Sequence, residues 1–274
     1  MILDLHTHST ASDGQYTPAE LIDMAKKREL VIFAITDHDT INGLKEAKQR
    51  AKELDVNFVP GIEISSDDGE EIHIVGLCID ENNPVLAAEC EAFIASRDNR
   101  GEVICQYLNR LNIPVTMEEI RAIAGEANIA RPHFAAYLQE HGYVKERKEA
   151  FKRYLDTEEF HVATDRKLPS VEHSISLIHG AGGKAILAHP GLMKMPLEQQ
   201  YALVQKWKEA GLDAIECCYY KHTPEQTQQY YRWAKEFDLR ISCGSDFHGE
   251  MVKPDVPLGM ELVQDEWIDR LITR

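Results

Sequence analysis

The chain has 274 residues, 43% of them hydrophobic, which is enough to bury one barrel-sized core or a domain that carries an insertion. Asp and Glu number 46 against 30 Lys and Arg, and the resulting net charge of −16 argues against a protein that binds long nucleic acids through a basic surface. The six cysteines show no framework spacing, and no stretch has the length and apolarity of a signal peptide or membrane span. We therefore expect a cytoplasmic protein with reduced thiols and no membrane association.

The first part of the chain alternates between short apolar runs and amphipathic stretches. The predicted elements are, in order, a strand over 1–5, a helix over 19–28, a strand over 31–35, a helix over 42–54, and strands over 57–64 and 72–77. The run over 31–35 is continuously apolar, as expected of a strand that is covered on both faces. This order predicts an α/β fold with a largely parallel sheet.

The pattern changes at about residue 84. Only helical periods follow, over 84–111, 117–124, 132–141 and 146–155. Alternation then resumes, with helices predicted over 171–181, 197–210 and 224–237 and strands predicted over 184–188, 213–217 and 240–243. We interpret residues 84–165 as an all-helical insertion that covers the mouth of a barrel formed by residues 1–83 and 166–274.

Residues that commonly bind metals recur where the predicted strands end. His6 and His8 are separated by one residue, so on a strand they would share one face. The carboxyl ends of parallel strands meet at one edge of a barrel, where side chains distant in sequence converge. The candidates are His6, His8, Asp13, His38, Glu63, His73, His189, Asp246 and His248. Imidazoles and carboxylates in this number could hold two or three divalent cations.

Several of these residues also have a purely structural interpretation. Asp13 precedes a glycine and is typical of a turn, whereas His73 lies within a strand and could be a core histidine. Glu63 could be an ordinary acid at a strand end. Asp37 and Asp39 could cap a helix or orient a neighbouring ligand. The joint placement of nine metal-type residues at strand ends favours a metal centre.

The segments that carry these candidate ligands resemble the motifs of a known family. They are His6-Thr7-His8-Ser9, Asp13-Gly14, Thr36-Asp37-His38-Asp39, Gly61-Ile62-Glu63, His73-Ile74-Val75-Gly76, Ala188-His189-Pro190 and Gly244-Ser245-Asp246-Phe247-His248-Gly249. In this order they resemble the PHP (polymerase and histidinol phosphatase) superfamily. The resemblance implies a distorted (β/α)7 barrel with a trinuclear centre that hydrolyses phosphoesters, loaded with Mn, Fe or Zn.

The resemblance also implies how the three metals are held. His6, His8 and Asp246 would hold one ion. Glu63 would bridge that ion to a second one, which His73 and His189 complete. The third ion would take Asp13, His38 and His248 as its ligands.

The insertion and the second part of the barrel are similar to one bacterial branch of this superfamily, through Ala130-Arg131-Pro132-His133 in the insertion and Tyr219-Tyr220-Lys221-His222 in the barrel, among other segments. That branch acts on nucleoside 3′,5′-bisphosphates and on the 5′ ends of short RNA. We therefore expect a small phosphorylated substrate, a nucleotide or a short single-stranded RNA end, and no duplex DNA. The candidate catalytic residues are His222, Asp246 and Glu63, and the candidate substrate-binding residues are Arg131, His222, Arg97 and Arg100.

Alternatives remain open for these residues and for the function. His222 could be an acid, a phosphate ligand or a surface histidine near a helix start, and Arg131 could be a structural salt-bridge partner. The protein could also be a phosphatase of the histidinol-phosphate type or another small-molecule phosphoesterase. It could be a proofreading or regulatory module that joins a polymerase, or an amide or lactone hydrolase of the amidohydrolase type.

Overall fold

Short apolar segments form the strands at the centre of this fold, and amphipathic helices pack around them. The computed structural model describes residues 1–125, 127–164, 167–262 and 270–272. The strands are β1 (Ile2–Leu3), β2 (Phe33–Ile35), β3 (Phe58–Asp67), β4 (Glu71–Leu77), β5 (Lys184–Leu187), β6 (Ala214–Tyr219), β7 (Arg240–Gly244) and β8 (Met260–Glu261). The helices are α1 (Pro18–Lys27), α2 (Leu44–Leu54), α3 (Pro84–Arg110), α4 (Met117–Ala124), α5 (Arg131–Glu140), α6 (Arg147–Ala150), α7 (Glu158–Ala163), α8 (Val171–Gly180), α9 (Leu197–Glu209) and α10 (Pro224–Glu236).

Among the described residues, six strands form one curled sheet in the order β2-β3-β4-β5-β6-β7. The pairs β2–β3, β5–β6 and β6–β7 are parallel, as predicted, but β4 runs antiparallel to both of its neighbours. The reason is local, because β3 and β4 are joined by a short hairpin turn, which brings the chain back in the opposite direction. The start of β4 therefore lies at the edge where the parallel strands end.

The segment 4–8 closes the sheet into a barrel. On one side, Leu5 donates its N–H to the Cys243 carbonyl at 3.1 Å. On the other side, Asp4 donates to the Ile32 carbonyl at 3.1 Å and accepts from the Ala34 N–H at 2.8 Å. This first segment therefore lies between β7 and β2. The predicted α/β class and the distorted seven-stranded barrel are confirmed.

Close backbone approach allows this closure. A Cβ on Gly244, at the end of β7, would lie 2.3 Å from the Cβ of His6, so a larger residue there would push the His6 segment away. The barrel core contains the fully buried rings of Trp207 and Tyr230, contributed by α9 and α10. Burial of such large apolar surfaces is the main source of stability.

The described part of residues 84–164 contains helices as its regular elements, as predicted. Its apolar side chains form a cluster of their own, with Phe134, Leu138 and Phe160 fully buried. The boundaries of the insertion stay a prediction, which this separate cluster supports. No helix within the described ranges combines the length and the apolarity that a membrane crossing would need.

Helix starts follow local capping chemistry. The Thr17 hydroxyl accepts from the N–H of Glu20 at the start of α1, and the Glu20 carboxylate accepts from the Thr17 N–H. Thr223 and Gln226 form the same reciprocal pair at the start of α10. Such capping boxes satisfy amides that have no partner inside the helix, which explains why both predicted starts lie within one residue of the observed ones.

Candidate metal centre

All nine predicted metal ligands lie together at one edge of the barrel. His6 and His8 follow β1, Asp13 lies in the turn beyond them, His38 follows β2, Glu63 lies in β3, His73 lies in β4, His189 follows β5, and Asp246 and His248 follow β7. Among the described residues, four overlapping groups drawn from this set have their potential ligand atoms within 4.8 Å of one another. His73 reaches this edge only because β4 is antiparallel.

The carboxylate of Glu63 is the centre of the cluster. Its Oε2 lies 3.2 Å from His6 Nε2, 3.1 Å from His8 Nε2 and 3.0 Å from His38 Nδ1. Its Oε1 lies 2.8 Å from His73 Nδ1 and 3.0 Å from His189 Nε2. Each oxygen therefore faces a different set of imidazoles, as a carboxylate that bridges two cations would.

Asp246, Asp13 and His248 form the other side of the cluster. Asp246 Oδ1 lies 3.4 Å from His8 Nε2, and His248 Nε2 lies 3.3 Å from Asp13 Oδ1. His248 Nδ1 donates to the backbone carbonyl of Asp246 at 2.9 Å, which leaves Nε2 facing Asp13. Such a bond fixes the tautomer of a ligating histidine.

Several buried polar atoms of this cluster form no hydrogen bond, although most of them lie 3.0 to 3.3 Å from another group of the cluster. In the described part of the chain, six buried side-chain N or O atoms have no hydrogen-bond partner. They are His6 Nε2, His8 Nδ1, His8 Nε2, Asp13 Oδ1, His38 Nδ1 and Glu63 Oε2, and all belong to the predicted ligands. Leaving a buried polar atom without a hydrogen bond costs about 1–3 kcal/mol, so six such atoms in one place indicate a site that is built for a ligand. The donor set of imidazoles and carboxylates fits divalent cations such as Mn, Fe or Zn.

The electrostatics of the cluster favour ionised carboxylates. Burial raises the pKa of Glu63, but the imidazoles of His6, His38 and His73 outweigh that effect and hold the pKa well below its ordinary value. Burial is outweighed in the same way at Asp13, whose pKa is also held well below its ordinary value by neighbouring histidines. Both carboxylates are therefore anionic at neutral pH, which is the form that binds a cation.

The backbone at two ligands is unusual. His189 has a φ of 26° and Asp246 a φ of 59°, in the left-handed region that residues with a Cβ rarely adopt. Strain of this kind costs about 1–3 kcal/mol and concentrates at functional sites. His189 lies two residues after the end of β5 and Asp246 two residues after the end of β7, so the strained backbone turns their side chains toward the cluster.

Buried carboxylates hold the loops that carry the ligands. Asp37 accepts hydrogen bonds from the N–H and hydroxyl of Ser9, both at 2.7 Å, and from the Ser12 hydroxyl at 2.6 Å, which fixes the loop between His8 and Asp13. Of the two roles that the sequence allows for Asp37, these contacts favour orienting neighbouring ligands over capping a helix.

Asp4 holds the loop before Asp246 in the same way. It accepts from the N–H and hydroxyl of Ser245 at 2.9 Å and 2.6 Å. Burial raises the pKa of Asp4 to about 6, although these hydrogen bonds oppose the rise. The carboxylate therefore connects the first strand segment to the loop that follows β7.

Sequence reasoning missed Glu216, a buried carboxylate in β6. Its Oε1 lies 3.1 Å from His6 Nδ1, and its Oε2 accepts the N–H of His189 at 2.7 Å. When His6 donates through Nδ1, its Nε2 lone pair faces Glu63 and Asp246. The sequence does contain one sign of Glu216, because it is a charged residue within an otherwise apolar stretch of a predicted strand.

Replacing Glu216 with glutamine is expected to weaken metal retention about 10- to 100-fold, because an amide orients the His6 ring without the negative charge. Metal content after dialysis against graded chelator concentrations measures this. Glu209→Gln, an exposed change on α9, is the matched control. Equal retention in both variants would mean that Glu216 does not support the ligands.

A cavity of about 330 Å³ opens onto the cluster. Asp13, His38, His73 and Asp246 contribute to one part of its wall. The described residues elsewhere on the wall include five cationic side chains, which are Arg97, Arg100, Arg131, Arg147 and Lys253. Four of these come from the predicted insertion. The cavity therefore combines candidate metal ligands with fixed positive charges.

The three arginines predicted to bind substrate all line this cavity, but they differ in how closely protein groups hold their guanidinium groups. Arg97 is held by Asp39, with Nε 2.7 Å from Oδ2. Arg100 donates from Nε to the Thr164 carbonyl at 3.1 Å. Arg131 makes a longer contact of 3.4 Å with Asp156 and keeps 31% of its side chain exposed. Arg131 is thus the most available of the three.

Two further cationic residues were not predicted. Lys253 donates from Nζ to Asp246 Oδ2 at 2.6 Å, and Arg147 donates to the Met251 carbonyl at 3.2 Å. Both contacts involve the loop that follows β7, so Arg147 connects the insertion to the barrel. No local sequence pattern marks either residue.

His222 is not among the described residues that line the cavity. Its Nδ1 lies 3.1 Å from the Cys217 carbonyl, and its Nε2 accepts the N–H of Gly191 at 3.0 Å. Both ring nitrogens are therefore engaged with backbone groups. The catalytic role of His222 stays a prediction, and this geometry favours a role in fixing the loop that follows His189.

A buried cluster of imidazoles and anionic carboxylates beside a cationic cavity defines the site class, a metal-dependent hydrolase site for anionic substrates. A family model described as PHP domain matches residues 4–159, and the chain belongs to this family. It is a metal-dependent phosphoesterase.

Curated relatives with enzymatic names include an exoribonuclease and a phosphatase. The chain is 40% identical over 248 residues to a 5′-3′ exoribonuclease of Haemophilus influenzae, with 89% of each chain covered. It is 35% identical over 248 residues to a 3′,5′-nucleoside bisphosphate phosphatase of Chromobacterium violaceum, covering 90% of this chain and 87% of the relative.

A solved structure from Chromobacterium violaceum, described as an amidohydrolase with bound sulfate and no metal, superimposes with a TM-score of 0.87 at 34% identity. The match covers 95% of this chain and 92% of that one.

Proposed function

We propose that this enzyme hydrolyses phosphoesters of small nucleotides, such as nucleoside 3′,5′-bisphosphates, or of the 5′ ends of short single-stranded RNA, at a centre of three divalent metals. The observation that carries the proposal is the cavity in which candidate metal ligands face arginine and lysine side chains. The names of the two relatives support the same substrate classes.

The ligands are proposed to be shared as the motif assignment implies. His6, His8 and Asp246 lie within one group of neighbouring ligand atoms, and Asp13, His38 and His248 lie within another, which also includes His8. Glu63 lies with His189 in one group and with His73 in another. This overlap supports Glu63 as the bridging ligand.

Different side chains of the site would have different roles in the reaction. Divalent cations bound by the cluster would supply Lewis acidity, which makes a water nucleophile available near neutral pH and offsets charge on the phosphate. Arg131 and Arg147 would bind phosphate oxygens that project from the site, because guanidinium groups match them in bidentate geometry. Lys253 holds Asp246 Oδ2, so that Oδ1 faces His8 and His248.

The apolar wall suits a nucleoside. Ile104, Ile129 and Phe151 line the cavity beside the arginines. Ligand sites typically combine such apolar surface with a few convergent polar groups in volumes of about 300–1,000 Å³. At about 330 Å³ this cavity has the size for a mononucleotide rather than for a duplex.

A substrate panel tests this proposal. Adenosine 3′,5′-bisphosphate and 5′-phosphorylated RNA are expected to be hydrolysed much faster than histidinol phosphate, a simple amide or duplex DNA. The net charge of −16 leaves only local attraction, so kcat/KM should fall shallowly between about 50 and about 300 mM salt. Faster turnover of the amide or of histidinol phosphate would assign the site to that substrate. Robust cleavage inside duplexes would overturn the nucleotide assignment.

A further inference from the structure

A second and larger cavity adjoins the one at the metal cluster. Its volume is about 890 Å³, against about 330 Å³ for the first. The two cavities share wall residues, which are Glu71, His73, Arg100, Arg131, His189 and Leu192. They therefore adjoin each other, and a molecule held at the metal cluster could extend toward the second cavity, which we call the side groove.

The side groove lies between the barrel and the insertion. Its barrel side is formed by Gly69 and Glu70, in the turn between β3 and β4, and by Lys194, which follows a 3-10 turn at Pro190–Leu192. Asp156 and His161 of the insertion form the opposite side, and Lys167 lies at the junction. Because the side groove lies between the barrel and the insertion, Arg100 and Arg131 of the insertion border both cavities.

The charges of the side groove suit an extended anion. Lys167 and Lys194 are exposed, and their ammonium groups make no ion pair among the described residues. The acids there are mostly engaged, because Glu70 accepts the N–H of Lys194 at 3.1 Å and Asp156 lies 2.8 Å from His161 Nε2.

Two other acids also line the groove. Glu71 lies 3.5 Å from His73 Nε2. The carboxylate of Asp67 is exposed. Four cationic side chains thus face four acids, in a chain whose overall charge is −16.

An apolar side chain marks the boundary between the cavities. Leu192 is 47% exposed and lines both of them, three residues after the candidate ligand His189. An exposed leucine at the mouth of a polar groove is a surface on which a planar base can pack. Leu192 therefore offers an apolar contact to a ligand that passes from the first cavity toward the second.

We infer that the side groove binds the nucleotides that follow the 5′-terminal nucleotide of a single-stranded RNA, with Lys167 and Lys194 contacting their phosphates. This inference rests on the proposed function and extends it, because it assigns a separate surface to RNA length. A nucleoside bisphosphate fills the first cavity alone and does not reach these lysines.

The test is the double variant Lys167→Ala with Lys194→Ala. Its matched control is Lys45→Ala with Lys52→Ala, which removes the same charge from an exposed face of α2. The substrates are adenosine 3′,5′-bisphosphate and 5′-phosphorylated oligoadenylates of about two, four and six nucleotides. For the longer two, kcat/KM of the groove variant should fall roughly fivefold or more, and its salt dependence should weaken by about one to two phosphate contacts. The bisphosphate rate should stay within about twofold of the parent enzyme.

The outcomes separate this inference from the proposed function. Equal effects on the bisphosphate and on the longer RNAs, or equal effects of the groove and control variants, would overturn the side groove as an RNA site. A parent enzyme that hydrolyses the bisphosphate but not the tetramer would overturn it too. If the parent enzyme hydrolyses no phosphorylated nucleotide, the proposed function itself fails. Lys194→Glu alone should lower the hexamer rate more than Lys194→Ala does, which checks that charge rather than folding is responsible.

Discussion

Replacing Glu63 with glutamine is expected to remove more than one metal ion per chain and to lower kcat/KM on every phosphoester at least about a thousandfold. The reason is geometric. Both carboxylate oxygens lie 2.8 to 3.2 Å from imidazole nitrogens, so the group contacts ligands on two sides of the cluster. An amide has one oxygen acceptor and no negative charge, and so it cannot serve two cations.

Metal content and activity must be measured on the same preparation. Glu91→Gln, an exposed change on α3, is the control and should retain the metal content and activity of the parent enzyme. A thermal melt of the metal-free Glu63→Gln protein separates loss of metal from loss of fold. A parent preparation that holds at most one tightly bound ion and is fully active would contradict the three-metal proposal.

The sequence predicted the central part of this fold well because local patterns determine it. The apolar runs before His38 and His189 do form strands, and the helical periods after residue 84 do form helices. The direction of β4 was not predicted, since alternation of strands and helices indicates parallel pairing, whereas a tight turn at Gly69 reverses the chain. The position of His73 depends on that reversal.

The candidate site was predictable where chemistry is carried by residue type. Histidines and carboxylates at strand ends are visible in a sequence, and the structure places all nine near one another. Partners that depend on tertiary packing were not visible. Glu216 lies inside a strand, and Lys253 reaches Asp246 from a loop.

A substitution of Arg131 tests whether the insertion binds a substrate phosphate or has only a structural role. Arg131→Ala is expected to lower kcat/KM for adenosine 3′,5′-bisphosphate about a hundredfold and to change that for bis(p-nitrophenyl) phosphate less than about threefold. The nucleotide carries a second phosphate that can reach the guanidinium, whereas the small diester does not. Metal content should be unchanged, because Arg131 contacts Asp156 and the Phe151 ring rather than the candidate ligands.

Asp156→Ala provides the matched control for this variant. If Arg131 serves mainly to hold Asp156, which lies 3.4 Å away, removing either partner should have the same effect on both substrates. If Arg131 binds phosphate, Asp156→Ala should leave the bisphosphate rate near that of the parent enzyme or raise it, because the guanidinium loses a competing anion.

Arg131→Lys should recover part of the activity, since it keeps the charge but not the bidentate geometry. Equal losses on the bisphosphate and the small diester would instead make Arg131 a structural residue and would move the phosphate-binding role to Arg147 and Lys253, which line the same cavity.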